Sequence, residues 1–278
     1  MLAVLSGRLP LVNARAALFD LYGDHLRSRG GKAPISGLIR ALGTLDIAPP
    51  AVRTAVSRMV RQGWLSASRS GGAATYALTE RAVARLDEAA ERIYRTREEA
   101  WDGRWHLLVV PRITDRSRRE RVRVGLRYLG YGAIDDTTWI AARPSAELAA
   151  LETAESIAIE AFTARHDADT RDLIGRVWDL PALAAAYDEW LATARGILAG
   201  IGPADSDDRA FAARSRLLHE WRKFLFTDPQ LPPDLLPRNW PGGAAADFFD
   251  SHAQRLLPAA ARFVTEYVLD PPMNGDDR

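Results

Sequence analysis

The sequence predicts an α+β fold in three consecutive parts, and three patterns carry that expectation. Residues 10–80 show three helical stripes followed by two short segments of alternating character around a glycine pair. Residues 103–165 run strand, helix, strand, strand, helix, strand, which is a ferredoxin-like βαββαβ order. Residues 166–272 carry only helical periodicity, interrupted by prolines, and so predict an all-α C-terminal domain. A helix over 81–102 links the first part to the second.

The first part begins with "NARAALFDLYGDHL", where Asn13 caps a helix whose apolar stripe is Leu18, Leu21, Tyr22 and Leu26. "APISGLIRALGTL" repeats the pattern with Ile35, Leu38, Ile39 and Leu42. A third helix opens on Pro49 and Pro50, where the missing N–H groups cost nothing, and Gly63 stops it. Val52, Val56, Met59 and Val60 fall on its apolar face. "WLSAS" and "TYAL" then read as strands joined across "RSGGAA", where Gly71 and Gly72 supply positive φ. Helix, helix, helix, hairpin is the winged helix-turn-helix order, in which the third helix enters the major groove of DNA.

Charge supports that reading. From Pro49 to Leu78 the chain holds four arginines and no aspartate or glutamate. Arg53, Ser57 and Arg61 lie four apart on the polar face of the third helix, with Thr54 and Arg58 beside them; Arg69 follows in the hairpin. A carboxylate on a face that meets phosphates would be repelled, whereas a guanidinium fits phosphate oxygens or the guanine edge. Residues 1–144 hold 24 basic and 14 acidic side chains, and residues 145–278 hold 13 and 22. The basic half therefore expects a polyanion partner, double-stranded DNA. The alternative is a winged-helix scaffold whose basic face is only solvated and which contacts protein rather than DNA.

In the middle, Thr79 caps a helix expected to reach Glu99. Its stripe of Val83, Leu86, Ala90 and Ile93 can pair two subunits or pack on its own domain. "RWHLLVVP" is a buried strand, "DRSRRERVRVGLRYL" a helix, "GYGAID" and "TTWIAAR" strands, "SAELAALETA" a helix and "SIAIEAF" a last strand. Arg116, Arg119, Arg123 and Arg127 make a basic stripe on the first of these helices, open to DNA phosphates, to a phosphorylated ligand, to the acidic half, or to solvent alone. In the last part, "DTRDLIGRVWDLPALAAAYDEWLATARGIL" gives two helices broken near Asp179, and "DDRAFAARSRLLHEWRKFLFTD" gives a third. "PQLPPDLLPRNWPGG" crosses in extended form. A final helix runs from about Ala244 to Leu269 and bends at Pro258.

Enzyme chemistry finds no support. Cysteine is absent, and there is no G-x-S-x-G, Walker loop or H-E-x-x-H. The five histidines lack metal-ligand spacing, and the adjacent His219 and Glu220 point to different helix faces. Neither catalytic nor metal residues are expected, and no cofactor. No apolar run reaches the length of a membrane span and the N-terminus lacks signal-peptide character, so a cytoplasmic protein with no membrane partner is expected.

The segments "RAALFDLYGDHL", "AVRTAVSRMVRQGWL", "YALTERA", "WDGRWHLLVVP", "LRYLGYGAI" and above all "HEWRKFLFTDPQLPPDLLPRNWPG" resemble the PaaX family of phenylacetic-acid catabolism repressors, in family order from Arg15 to Val268. The resemblance implies a transcriptional regulator acting as a homodimer at a palindromic operator, its best-known members being released by phenylacetyl-CoA. It implies Arg53, Thr54, Ser57, Arg58 and Arg61 as DNA contacts. The wing departs from the family, having no basic residue beyond Arg69. For an acyl-CoA effector, the aromatic and cationic residues Trp178, Trp221, Arg222, Lys223 and Trp240 are the candidates, although tryptophans at helical spacing also serve as core. The middle part resembles the dimeric fold of a CRISPR-associated adaptation nuclease. Such an enzyme holds its metal with a carboxylate at the end of the first strand, where this chain has Val110 and Pro111 and no acid before Asp115.

Overall fold

A computed structural model describes residues 12–70, 73–93, 101–202 and 205–270. The expected Gly71–Gly72 turn, and the continuation of the linking helix to Glu99, lie outside the described residues. In chain order the first elements are α1 (Ala14–Leu21), β1 (Lys32–Pro34), α2 (Ile35–Gly43), α3 (Pro49–Arg61), β2 (Leu65–Ser70), β3 (Ala73–Leu78) and α4 (Glu80–Ile93). There follow β4 (Trp105–Val109), α5 (Arg116–Tyr128), β5 (Gly132–Ala133), β6 (Thr138–Ala141), α6 (Leu148–Glu155) and β7 (Glu160–Ala164). The remaining helices are α7 (Thr170–Val177), α8 (Leu180–Leu198), α9 (Asp207–Trp221), α10 (Phe224–Thr227) and α11 (Pro241–Phe263). The result is a mixed helix and sheet protein. Among the described residues no helix is long and apolar enough to cross a membrane.

The chain forms two compact units. One comprises Met1–Tyr94, Trp190–Trp221 and Ala246–Arg278; the other comprises Arg95–Glu189 and Arg222–Ala245. The C-terminal helices thus divide between the two.

In the first unit the Asn13 side chain accepts from the Ala16 amide at 2.9 Å and starts α1. The helix runs on through a wide turn, Tyr22–Leu26, and a tight one, Arg27–Arg29, until Gly30 at φ +85 ends it. Leu18, Tyr22 and Leu26 are buried, as are Leu38, Leu42, Val52, Val56 and Met59, so each helical stripe faces one core. The strands pair antiparallel in the order β1-β3-β2. β1, three residues long, carries no periodicity that sequence reading could find.

This core is not closed by the N-terminal residues alone. Phe211, Ala260, Phe263, Val264 and Val268 belong to it. The wide turn Val264–Leu269 packs on α2 so closely that a β-carbon on Gly37 would lie 2.0 Å from the Val268 carbonyl oxygen. The expected helix through Leu269 is α11 plus this turn; α11 begins at Pro241, three residues early, because proline suits a first turn, and it passes Pro258 without interruption.

Ion pairs bind α9 to the N-terminal helices. Arg214 meets Asp24 through two parallel bonds, Nε–Oδ2 and Nη2–Oδ1, both 2.7 Å, and its third nitrogen donates to the Ala253 carbonyl. The two side chains are 6% and 4% exposed. His219 pairs with Asp20 at 2.9 Å, and Arg216 with Asp46 at 2.8 Å. Beside the buried pair, His25 is 1% exposed; its Nε2 lies 3.1 Å from Asp24 Oδ2 but off the line of a hydrogen bond, and its ring packs near Phe211. Burial lowers its pKa to about 4, reinforced by Arg214 and Arg29 and opposed by Asp24.

In the second unit an antiparallel sheet in the order β5-β6-β4-β7 carries α5 and α6 in its connections. The alternation of β4 sends Trp105 and Leu107 to one apolar cluster, with Ile140, Leu173, Ile174 and Leu231. It sends Leu108 to another, with Val122, Leu126, Tyr131 and Trp139. Both faces being covered, the strand reads as a near-continuous apolar run. The last strand starts at Glu160, not at Ser156 as expected. Ser156 takes φ +51 to close α6, Ile157 and Ile159 turn into the core, and Glu152 Oε1 accepts from the Ile159 amide at 2.8 Å.

Asp179 separates α7 from α8, its carboxylate accepting from the Ala182 amide at 2.9 Å. The helix expected over Asp207–Asp228 is instead two. It breaks at Arg222 and Lys223, where Trp221 belongs to the first unit's core and Phe224 stacks on Tyr187 of the second at 4.0 Å. The proline-rich stretch is irregular save for one tight turn, Pro233–Leu235.

Two consequences are measurable. Removing one partner of the Arg214–Asp24 pair strands a buried charge, so Arg214→Met is expected to cost about 3–5 kcal/mol in urea unfolding, and adding Asp24→Leu to recover much of it. His25 is buried neutral with a pKa of about 4 against 6.5 in the unfolded chain, so the unfolded state takes up the proton first and stability falls as pH drops through that window. A loss of about 2 kcal/mol is expected between about pH 7.5 and about pH 5, and His25→Phe is expected to remove it from the stability profile.

Candidate nucleic-acid interface

α3 separates its two faces fully. Val52, Val56 and Met59 are buried, with Val60 half-buried, whereas Arg53, Thr54, Ser57, Arg58 and Arg61 are all exposed. The absence of a side-chain cap at Ala48 is compensated by Pro49 and Pro50 in the first turn. At the other end Gly63 adopts φ +71; the Gly63 amide donates to the Val60 carbonyl at 3.0 Å and the Trp64 amide to the Met59 carbonyl at 2.9 Å. These two bonds satisfy the last carbonyls and turn the chain sharply into β2.

The polar face is available for binding. Thr54 Oγ1 donates to the Pro50 carbonyl at 2.9 Å, which leaves the hydroxyl oxygen free to accept. Arg69 is exposed on β2, opposite Ala74. Among the described residues none of Arg53, Arg58, Arg61 and Arg69 makes an ion pair or a side-chain hydrogen bond. Other arginines of this unit are engaged: Arg27 with Asp87, Arg209 with Asp205, Arg216 with Asp46 and Arg262 with Asp207. Those four guanidinium groups are each matched by a carboxylate, whereas the ones along α3 are left open. Lys32, exposed on β1, adds a cation that sequence reading missed because so short a strand leaves no pattern.

The stripe on α5 is different. Arg116 and Arg127 are exposed, but Arg119 donates to the Ile113 carbonyl at 2.9 Å and Arg123 pairs with Asp136 at 2.6 Å. Its neighbours are occupied too, Arg118 on the Glu155 carbonyl at 2.8 Å and Arg121 in a fork on the Glu155 carboxylate. Much of this helix's charge holds α5 to the α6 end and the β5–β6 turn.

The aromatic candidates do not gather within one unit. Trp221 is 3% exposed in the first, stacked on Phe249 at 4.9 Å and edge-on to Trp190 at 4.8 Å; it is a packing residue there. Trp178, Arg222, Lys223 and Trp240 belong to the second. There Trp178 stacks on Trp105 at 5.9 Å, and Trp240 meets Tyr187 edge-on at 6.0 Å. Trp178 and Trp240 are half-buried, Lys223 is exposed. Tyr131 hydroxyl lies 2.7 Å from His106 Nδ1, burial raising the phenol's pKa and lowering the imidazole's. At the end of β4, Val110 is buried, and among the described residues no group of three or more acidic or histidine side chains could hold a metal ion.

Comparison with known proteins finds three family matches along the chain. Residues 13–82 match "PaaX-like protein", 98–173 "PaaX protein central Cas2-like domain", and 178–266 "PaaX-like protein C-terminal domain". The chain is 32% identical over 268 residues to the transcriptional repressor PaaX of Escherichia coli K12, covering 92% of this chain and 84% of that protein. Among solved structures it resembles the uncharacterised protein Rv0674 from Mycobacterium tuberculosis, at 28% identity and a TM-score of 0.60, over 90% of this chain and 97% of the other. Three successive matches in family order, with that identity across nearly the whole chain, place this protein in the PaaX family.

Proposed function

We propose that this chain is a non-enzymatic transcriptional repressor of an aromatic, phenylacetate-type catabolic operon, acting in the cytoplasm as a homodimer on a palindromic operator. The observation that carries the reading is α3: unpaired guanidinium groups outward, hydrocarbon inward, in a stretch without acid. The likeness to a curated repressor supports it. In this reading residues 10–80 are a winged helix-turn-helix domain, with α3 in the major groove and Arg69 at the base of the wing. α4 is the linker, residues 103–165 a ferredoxin-like scaffold, and residues 166–272 the helical effector-responsive part.

The physical cycle has two halves. Docking α3 places Arg53, Arg58 and Arg61 against phosphates and base edges, releasing condensed counterions; Thr54 and Ser57 add neutral hydrogen-bonding groups. Release follows when an acyl-CoA binds better to a conformation whose two α3 helices no longer match the half-site spacing, since only a difference in affinity between states shifts their populations. Trp178 and Trp240 are the aromatic candidates for the aryl group and Arg222 and Lys223 for the phosphates. The burial of Trp221 removes it from that set.

Footprinting on the DNA upstream of the protein's own gene tests the first half: a repressor protects a symmetric site and an interaction scaffold protects nothing. On the protected duplex, Arg53→Ala and Arg58→Ala are each expected to weaken binding by about 1–3 kcal/mol, and to lower the slope of log K against log salt by about 1 where a phosphate contact is lost. Unchanged slopes in both variants count against α3 as the contact. For the second half, phenylacetyl-CoA is expected to raise thermal stability, by about 2.7 kcal/mol at a hundredfold excess over its Kd, and to dissociate the complex. A thioester that stabilises the protein yet leaves DNA bound would contradict release.

A further inference from the structure

The junction between α3 and the hairpin is held from outside both elements. Thr79, the residue before α4, donates its hydroxyl to the Gly63 carbonyl at 2.8 Å and approaches the Trp64 carbonyl at 3.4 Å. The same oxygen accepts from the Ala82 amide at 3.3 Å as the cap of α4, and the Thr79 amide donates to the Trp64 carbonyl at 3.2 Å. One residue therefore satisfies groups at the end of α3, the start of β2 and the start of α4. A second contact lies alongside: Arg81 places its guanidinium 4.6 Å over the Trp64 ring, whose edge also meets Phe19 at 5.3 Å. α4 is secured further on, by Leu86 against Gly23 and by the pair of Asp87 with Arg27.

The Gly63 turn makes this contact matter for orientation. With φ at +71 and its Cβ position open, Gly63 has no side chain to pack against a neighbour, so the turn between α3 and β2 is held by backbone hydrogen bonds and by what its carbonyl meets. The capping bonds from Gly63 and Trp64 fix the last turn of α3, and the Thr79 hydroxyl takes up the carbonyl that follows them. A tilt of α3 relative to the hairpin has to break that bond or drag α4 with it.

We propose that Thr79 is a positioning residue for DNA reading: it latches α3 and the hairpin to the start of α4, so that the angle of α3 follows α4. The proposal rests on the reading of α3 as the DNA contact. Base edges are more demanding of angle than phosphates, which accept a guanidinium over a wider range, so loss of the latch acts on selectivity before it acts on charge-driven binding.

The full-length protein with Thr79→Val, which keeps the side-chain shape and removes the hydroxyl, is compared with wild type, Thr79→Ser and Arg58→Ala. The probes are the duplex that wild type enriches from a random-sequence pool and a scrambled duplex of equal length. Thr79→Val is expected to lose about tenfold in affinity for the selected duplex, with scrambled-duplex affinity and salt slope unchanged, and Thr79→Ser to restore it. Without DNA, hydrogen exchange at the Gln62, Gly63 and Trp64 amides is expected to accelerate in Thr79→Val and return in Thr79→Ser. Unchanged exchange overturns the latch whatever the DNA result. Equal losses on both duplexes, or no loss on either, overturn its role in selectivity. Failure of the separate reading of α3 shows instead as Arg58→Ala binding like wild type.

Discussion

One buried fork of hydrogen bonds, Arg214 on Asp24, is the constraint on which the first unit depends. A guanidinium and a carboxylate so fully removed from water lose several kcal/mol of hydration each, and they recover it only where geometry is good and the remaining donor is occupied. Both conditions are met, since Arg214 also donates to the Ala253 carbonyl. The pair ties α9 to the turn after α1 and to α11, and His219 and Arg216 extend that attachment to Asp20 and Asp46. The N-terminal helices with their basic face are in this sense completed by residues that follow them by more than a hundred positions. A buried charge left without its partner is costly, so neither side chain of the pair can be lost alone without a large penalty.

The arginines illustrate how one residue type is divided between two tasks. Guanidinium groups that meet a carboxylate or a carbonyl, as on α9 and much of α5, act as fasteners. Those on α3 meet no partner among the described residues and keep their long-range field. That field reaches about 8–10 Å in physiological salt, enough to bias encounter with a polyanion before any contact forms. Arginine spacing on a helix does not distinguish the two uses. α3 carries guanidinium groups at intervals of five and three residues and α5 at intervals of three and four, yet Asp136 and Glu155 pair with α5 whereas no acid occurs from Pro49 to Leu78.

Aromatic residues divide in the same way. Trp190 and Trp221, with Phe249, fill the first unit, while Trp101, Trp105 and Trp178 cluster in the second. Around Trp178 the packing leaves little slack: a β-carbon on Gly132 would lie 2.1 Å from Val177 Cγ1 and 2.7 Å from the Trp178 ring. Such side chains set the spacing of strand and helix first and are available to a ligand only where a face stays open. A composition rich in tryptophan therefore marked where the chain is densest, not by itself where it binds.

Local rules settled much of this protein in advance. The Asn13 cap, the prolines opening α3, the stripes of Leu18 and Leu38 and Val52, the glycine stop at Gly63 and the outward arginines follow from interactions spanning a few residues, and so were legible as spacing along the chain. The three-residue strand β1 and the late start of β7 at Glu160 were not, since each depends on what the segment packs against. Tertiary structure alone decided the rest. Asp24 and Arg214 are 190 positions apart, Gly37 is shaped by the carbonyl of Val268, and Thr79 finds Gly63 only after the hairpin has returned. Periodicity reports which side of an element avoids water, and that is a property of neighbours in sequence. Which element then covers that side, and which acid meets which arginine, is fixed by the fit of the whole core.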